Sequence, residues 1–242
     1  MSMPWNLLPE PSSLRCTFQP QITSRAGEHM NPSTDPDPYA GPGPDAAEPR
    51  HDVVCLRGGA GTGEWDEHQL DTLGARAWEP ETGLALDVGG PPGQLDAWVQ
   101  AASEALREST AGPAHVLANG AAAYGAILLA ARHPEQVKSM ILGDPLVDTS
   151  TDGFVAALRQ VRAPSLVIAA APDIDADVSI AQCIAGGIGN GVFVIIDNAT
   201  VPAHQSRSTS FNEWSRSFMK IAEGLHTVSQ SLPTQLQEEP RA

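Results

Sequence analysis

From His115 to Val137 the chain reads His-Val-Leu-Ala-Asn-Gly-Ala-Ala-Ala-Tyr-Gly, then an apolar run ending in His-Pro-Glu-Gln-Val. A short buried strand leading into a helix places Asn119 and Gly120 at the turn between them. The Asn119 amide can orient a substrate carbonyl, or it serves the turn itself, because asparagine tolerates left-handed backbone. Gly120 has no side chain and can attack nothing. Tyr124, one helical turn on, can donate a hydrogen bond into a pocket or pack as an aromatic ring. Arg57, in a glycine-rich turn, can pair a substrate carboxylate or phosphate, including a phosphopantetheine phosphate, or form a structural ion pair. Asp173 and His204 are candidate proton carriers. Asp144 follows a strand and suits helix or turn capping. His115 and His133 read as structural, Cys55 as a core residue inside a strand, and Cys183 as a poor nucleophile.

These residues need a scaffold that brings distant loops together. From His51 onward, strands and helices alternate, which predicts a mostly parallel sheet with helices on both faces. Strands are expected at Asp52–Leu56, Leu84–Asp87, Val116–Ala118, Lys138–Gly143, Ser165–Ala169 and Val192–Ile196. Helices are expected at Glu64–Leu73, Gly93–Thr110, Ala122–Arg132, 152–162, 176–186 and from Phe211 to about Ser229. The Gly93–Thr110 helix sets Leu95, Trp98, Val99, Ala102 and Leu106 on one face. Residues 1–50 form a proline-rich extension, with an edge-strand candidate at Leu14–Thr23 and a linker at Asn31–Pro44, where proline removes backbone donors. Residues 51–230 form the α/β domain, and 231–242 a polar tail expected to fray.

Composition narrows the partners. The 242 residues carry a net charge of −15, the reverse of a nucleic-acid footprint and unsuited to an anionic membrane. No apolar run approaches the roughly 20 residues of a membrane span, and no secretory leader pattern opens the chain. The three cysteines, Cys16, Cys55 and Cys183, have no metal-ligand spacing and suggest no disulfide framework. The glycine-rich run Arg57–Gly63 lacks the G-K-[ST] ending of a phosphate loop. A cytoplasmic protein with no cofactor and no metal is expected, and a homodimer is compatible with the chain. The Ala-, Gly-, Pro- and Asp-rich, Lys-poor usage suggests an actinobacterial coding sequence.

Taken in order, several local patterns resemble the α/β-hydrolase superfamily. Leu56-Arg-Gly-Gly-Ala-Gly61 is similar to its H-G-x-P-G turn, and Leu84-Ala-Leu-Asp-Val-Gly-Gly90 to its D-x-x-G-x-G turn. Ala130-Ala-Arg-His-Pro-Glu-Gln-Val137 with Met140-Ile-Leu-Gly-Asp-Pro145 is similar to A-A-x-H-P-x-x-V…L-x-L-x-D-P. Ala163-Pro-Ser-Leu-Val-Ile-Ala-Ala-Ala-Pro-Asp173 is similar to P-x-L-x-I-x-G-x-x-D. The resemblance implies an α/β-hydrolase-like fold. The short stretch Leu146–Val161 implies a minimal or absent lid.

The same resemblance sets out a degenerate triad. The G-x-S-x-G elbow falls on Ala118, Asn119, Gly120, Ala121 and Ala122, so glycine stands at the serine position. The acid position is Asp173. Matching back from Phe211 puts Val201 at the histidine position, with His204 three residues later. An acyl-serine mechanism is therefore excluded at this turn. What the resemblance leaves intact is an oxyanion hole made by the backbone N–H groups of Gly59 and Ala121, at a helix N-terminus that favours negative charge.

These readings imply a non-hydrolytic acyltransferase. An acyl thioester on an acyl carrier (thiolation) protein would be polarised by Gly59 and Ala121 and passed directly to a thiol or amine acceptor, such as a peptide or small molecule. Asp173 and His204 would handle protons or orientation, and Arg57, Asn119, Gly120 and Tyr124 would line the substrate. Within the superfamily the chain resembles tailoring acyltransferases of bacterial natural products, such as those of nosiheptide-type thiopeptide assembly. A catalytically inactive binding protein, and a cofactor-free lyase, isomerase or cyclase using His204 as base, stand beside this reading.

Overall fold

The computed structural model describes residues 52–59, 65–81, 83–86 and 92–231. The chain divides into two compact units, Met1–Glu48 and Pro49–Ala242, and the described residues all belong to the second. The expected strand at Leu14–Thr23, the linker at Asn31–Pro44 and the tail beyond residue 231 lie outside the described residues.

Six parallel strands form one sheet in the order β2-β1-β3-β4-β5-β6. They are β1 (Val53–Leu56), β2 (Ala75–Trp78), β3 (Ala114–Asn119), β4 (Val137–Gly143), β5 (Ser165–Ala171) and β6 (Gly191–Asp197). Strands β1, β3 and β5 are buried along their whole length, as near-continuous apolar runs must be when helices cover both faces of a parallel sheet. The chain leaves β1 toward β2 on one side and returns to β3 on the other. The crevice at the carboxyl ends of β1 and β3 is therefore the topological switch point, the usual ligand position in open α/β sheets.

One face is packed by α2 (Pro92–Ser109), α3 (Ala122–Arg132), α4 (Phe154–Gln160) and α5 (Ser179–Gly187). The other is packed by α1 (Glu67–Leu73), α6 (Ala203–Ser206) and α7 (Ser208–Ser231). Asp66 caps α1 by accepting from the Gln69 N–H at 2.7 Å. Helix α3 is almost wholly apolar and buried, which ties the turn before it to the core. Gly125 in α3 lies under the Trp98 ring, where any Cβ would collide with the indole. From α7, Phe211, Phe218, Met219 and Ala222 enter the opposite core. Truncating a buried Phe such as Phe211 to Ala costs about 3–5 kcal/mol.

One element differs from the sequence expectation. Leu84, Ala85 and Leu86 form no strand; the strand beside β1 is Ala75–Trp78. Gly83, at φ +101, precedes the segment, and the Leu86 N–H donates to the Gly58 carbonyl at 2.6 Å. The segment is thus held as a loop against the β1 turn. Asp87 lies outside the described residues.

Candidate functional site at the β3–α3 turn

Strand β3 delivers Asn119 to the carboxyl edge of the sheet, and Gly120 turns the chain into α3 with φ +51. That left-handed backbone suits a residue without a Cβ. The turn is fixed by its backbone: the Gly120 N–H donates to the Gly143 carbonyl at 3.1 Å, and the Gly120 carbonyl accepts from Ala123 at 3.2 Å and Leu146 at 3.0 Å. The space over Gly120 is open, since a Cβ built there meets only the Leu146 side chain, at 3.9 Å. Ala121 caps α3 with no side-chain hydrogen bond.

The loop after β1 lies against this turn. A Cβ on Gly58 would stand 3.7 Å from the Ala122 nitrogen. Gly59 has φ +81, and a Cβ there would meet Pro80 at 2.8 Å, so only glycine fits. Among the described residues, neither the Gly59 nor the Ala121 N–H takes part in a backbone hydrogen bond. Two backbone donors thus flank the switch point.

Asn119 points the other way, into the core. Its Nδ2 lies 3.1 Å from both Nδ1 and Nε2 of His204. The His204 ring is fully buried. It packs on Trp65, with ring centroids 4.5 Å apart, and on Phe211 at 5.8 Å. The His204 carbonyl accepts from Gln69 Nε2 at 3.2 Å, and the same amide donates to Asn212 Oδ1 at 3.0 Å. The structure therefore brings Asn119 and His204 together while enclosing the imidazole within the fold.

Asp144, directly after β4, holds that arrangement in place. Its Oδ1 accepts from the Ala170 N–H at 2.7 Å and its Oδ2 from the Ala203 N–H at 2.5 Å. One carboxylate thereby bridges the end of β5 and the first turn of α6, the helix that carries His204. Burial raises the pKa of this carboxyl, and the two N–H donors pull it the other way.

The remaining candidates fall as follows. Asp173 is exposed, and its Oδ1 accepts from the Asp175 N–H at 3.0 Å in its own turn rather than meeting His204. Val201 is also exposed. Arg57 pairs with Glu79 at 3.3 Å and donates to the Trp65 carbonyl at 3.0 Å, so it makes a structural ion pair. Tyr124 packs edge-on against Phe154 at 5.6 Å, and burial raises the pKa of its phenol. Cys55 is fully buried, and burial pushes its thiol far up. His115, at the opposite end of β3, meets Ser139 Oγ at 2.7 Å and Glu223 at 3.4 Å. Among the described residues, no group of three or more His, Cys, Asp or Glu side chains can hold a metal ion. No helix among them is long and apolar enough to cross a membrane.

Sequence reasoning missed Gln69, Trp65 and Asn212, which wall in His204, because no local pattern links them to it. It also missed three exposed apolar residues in the loops after β4, β5 and β6. Leu146 after β4, Ile174 after β5 and Val201 after β6 all expose their side chains at the carboxyl edge.

No family model and no curated protein matches the sequence. Solved structures do match it. A lipase from Acinetobacter baumannii aligns with TM-score 0.59 at 11% identity, covering 74% of this chain and 86% of that one. The non-heme bromoperoxidase BpoC of Mycobacterium tuberculosis aligns with TM-score 0.55 at 17% identity, covering 71% and 92%. A serine hydrolase of carbazole degradation, CarC, aligns with TM-score 0.56 at 13% identity, covering 71% and 91%. The chain has an α/β-hydrolase-like fold. The β3–α3 turn is a strand-to-helix turn with Gly120 at its apex.

Proposed function

We propose that this chain binds an acyl thioester at the β3–α3 elbow and lets its acyl group pass directly to a thiol or amine acceptor. The observation that carries this reading is the split between backbone and side chains at the elbow. Among the described residues the Gly59 and Ala121 N–H groups take part in no backbone hydrogen bond and the space over Gly120 is open, whereas the neighbouring imidazole, His204, is buried behind Asn119. In this reading Gly120 stands where the fold otherwise carries its serine, and Val201 where it carries its histidine.

The chemistry needs no group on the protein to be acylated. The thioester carbonyl oxygen sits between the Gly59 and Ala121 N–H groups, which stabilise the negative charge of the tetrahedral intermediate. The acceptor sulfur or nitrogen bonds to the carbonyl carbon, the carbon–sulfur bond of the donor breaks, and the acceptor's proton passes through solvent to the departing thiolate. Holding donor and acceptor together supplies the rest of the acceleration. Leu146, Ile174 and Val201 offer an apolar rim that suits an aromatic or aliphatic acyl group. His204 acts as a positioning residue through Asn119, and Asp173 shapes the loop after β5. The donor in this reading is carried by a thiolation protein and the acceptor is a peptide or small molecule, as in the tailoring of a bacterial natural product such as a thiopeptide.

A second reading, a binding protein without turnover, is favoured by the exposed, turn-bound Asp173 and the enclosed His204. One experiment separates the two. The protein is incubated with an aromatic acyl thioester, with and without a cysteine-containing peptide, and all species are followed by mass spectrometry. Acceptor-dependent consumption with no acyl group left on the protein is the expected result. Thioester that binds but is not consumed under either condition would establish the binding protein instead.

A further inference from the structure

Among the described residues, strand β6 closes one edge of the sheet and pairs only with β5. Its residues Gly191-Val-Phe-Val-Ile-Ile-Asp197 hold no proline and no charge before the final aspartate. Edges of this kind are usually blunted by charge, proline or a bulge, and none of these interrupts β6. The Asn190 carbonyl accepts from Ser165 N–H of β5. Alternation along a parallel ladder then turns the N–H and C=O groups of Phe193, Ile195 and Asp197 outward, whereas the Gly191 N–H donates to the Ile188 carbonyl at 3.0 Å.

Apolar side chains are exposed on both faces of this edge. Val192 lies on the α7 side, the side of the buried Ile196, and is 45% exposed. Ile195 lies on the α5 side and is 43% exposed, and Ile180 of α5 is 37% exposed. Trp214 and Ile221 add to the α7 side, at 48% and 59%. They occupy the flank of α7 opposite Glu223, which reaches His115 of β3 and Lys138 of β4, so that flank faces β6. A ligand or helix laid on one face would leave the other face and the open backbone uncovered. An added strand covers all three.

We infer that β6 pairs antiparallel with β6 of a second copy, joining the two sheets into one twelve-stranded sheet across a twofold axis. A strand facing its own copy is self-complementary by symmetry. Centring the axis on Val194 sets Phe193 opposite the partner's Ile195 and Gly191 opposite the partner's Asp197. Phe193 and Ile195 of the two copies then exchange their backbone hydrogen bonds, and the two aspartates lie roughly 20 Å apart at strand spacing. Trp214 and Ile221 of both copies meet across the axis on one face, and Ile180 and Ile195 on the other.

The test is sedimentation equilibrium of the full chain and of Ile195→Lys, with circular dichroism and melting as controls on folding. The wild-type chain should sediment at twice its 25.4 kDa mass. Ile195→Lys, altering a side chain already near half-exposed, should sediment as a monomer with unchanged melting. Val194→Cys should form an interchain disulfide under mild oxidant that wild type does not, because residues facing each other in a non-hydrogen-bonded antiparallel pair have Cα atoms about 4.5 Å apart. A wild-type monomer at 100 µM, by whatever means its edge is covered, would overturn the proposal. So would a dimer indifferent to Ile195→Lys. Both readings are of mass and stand apart from any activity.

Discussion

The Nδ2 nitrogen of Asn119 lies 3.1 Å from each ring nitrogen of His204, across 85 residues of sequence. The amide N–H donates, so the unprotonated ring nitrogen accepts. This contact joins the last residue of β3 to the first turn of α6, so the elbow and the helix that follows β6 share one buried joint. His204→Phe would keep the packing on Trp65 and Phe211 but remove an acceptor from the Asn119 amide. It is expected to cost about 1–3 kcal/mol in urea unfolding, with thioester turnover per folded molecule within a few-fold of wild type. A hundredfold loss of turnover at unchanged stability would give the imidazole a direct part in the chemistry.

Gly120→Ser tests what the elbow lacks. The site has room, with only the Leu146 side chain near a new Cβ, and the left-handed backbone at φ +51 costs a non-glycine residue roughly 1–2 kcal/mol. The variant should fold. It should gain no ester hydrolysis on a nitrophenyl ester, because the buried His204 ring cannot take the serine proton. Rapid hydrolysis by this variant would mean an imidazole does reach the elbow.

Gly59→Ala addresses the second backbone donor. The added methyl meets Pro80 at 2.8 Å, on backbone at φ +81 that already disfavours it, so the loop must shift away from α3. Removing one such donor costs on the order of 10²–10³ in turnover. Acyl transfer per folded molecule by Gly59→Ala is therefore expected to drop about a hundredfold, with a loss of stability of at least about 1–2 kcal/mol from the left-handed backbone. Full activity would place the carbonyl elsewhere.

Asp144→Asn should destabilise the fold, since an amide NH₂ would face one of the two N–H donors the carboxylate now accepts; the expected loss is about 1–3 kcal/mol. The pH dependence has a definite sign. Burial raises the native pKa above the ordinary value of 3.8, so the native chain holds this proton more tightly than the unfolded chain. The contribution of Asp144 to stability is then greatest in acid, and it falls as pH climbs from 3.8 through the raised native value. Asparagine does not titrate. Urea midpoints of wild type and variant should differ more at pH 4 than at pH 7; the opposite trend would show that the two N–H donors outweigh burial.

Much of the scaffold could be read from residue order alone. The helix Ala122–Arg132 coincides with its expected span, because a glycine turn precedes it and a His-Pro pair ends it. The strands of the sheet centre were legible as buried apolar runs. Ala75-Arg-Ala-Trp78 was not, since it is short and half-exposed with no apolar pattern, and its strand comes from pairing with β1. Leu84-Ala-Leu had the apolar pattern but not the partner. Gly120 could be placed at the elbow because its neighbours are local. The fate of His204 could not, since Trp65, Gln69, Asn119 and Phe211 close around it from four separate segments.

The tilted packing of Trp65 on His204 gives the protein an optical gauge of its own. An indole excited beside an imidazole loses emission in a way that depends on their separation and on the ring's charge. Of the four described tryptophans, Trp78 and Trp98 pair with each other, Trp214 is 48% exposed on α7, and Trp65 is the one against His204. The Trp65 contribution to the emission is therefore expected to follow changes at the joint behind the elbow without any label.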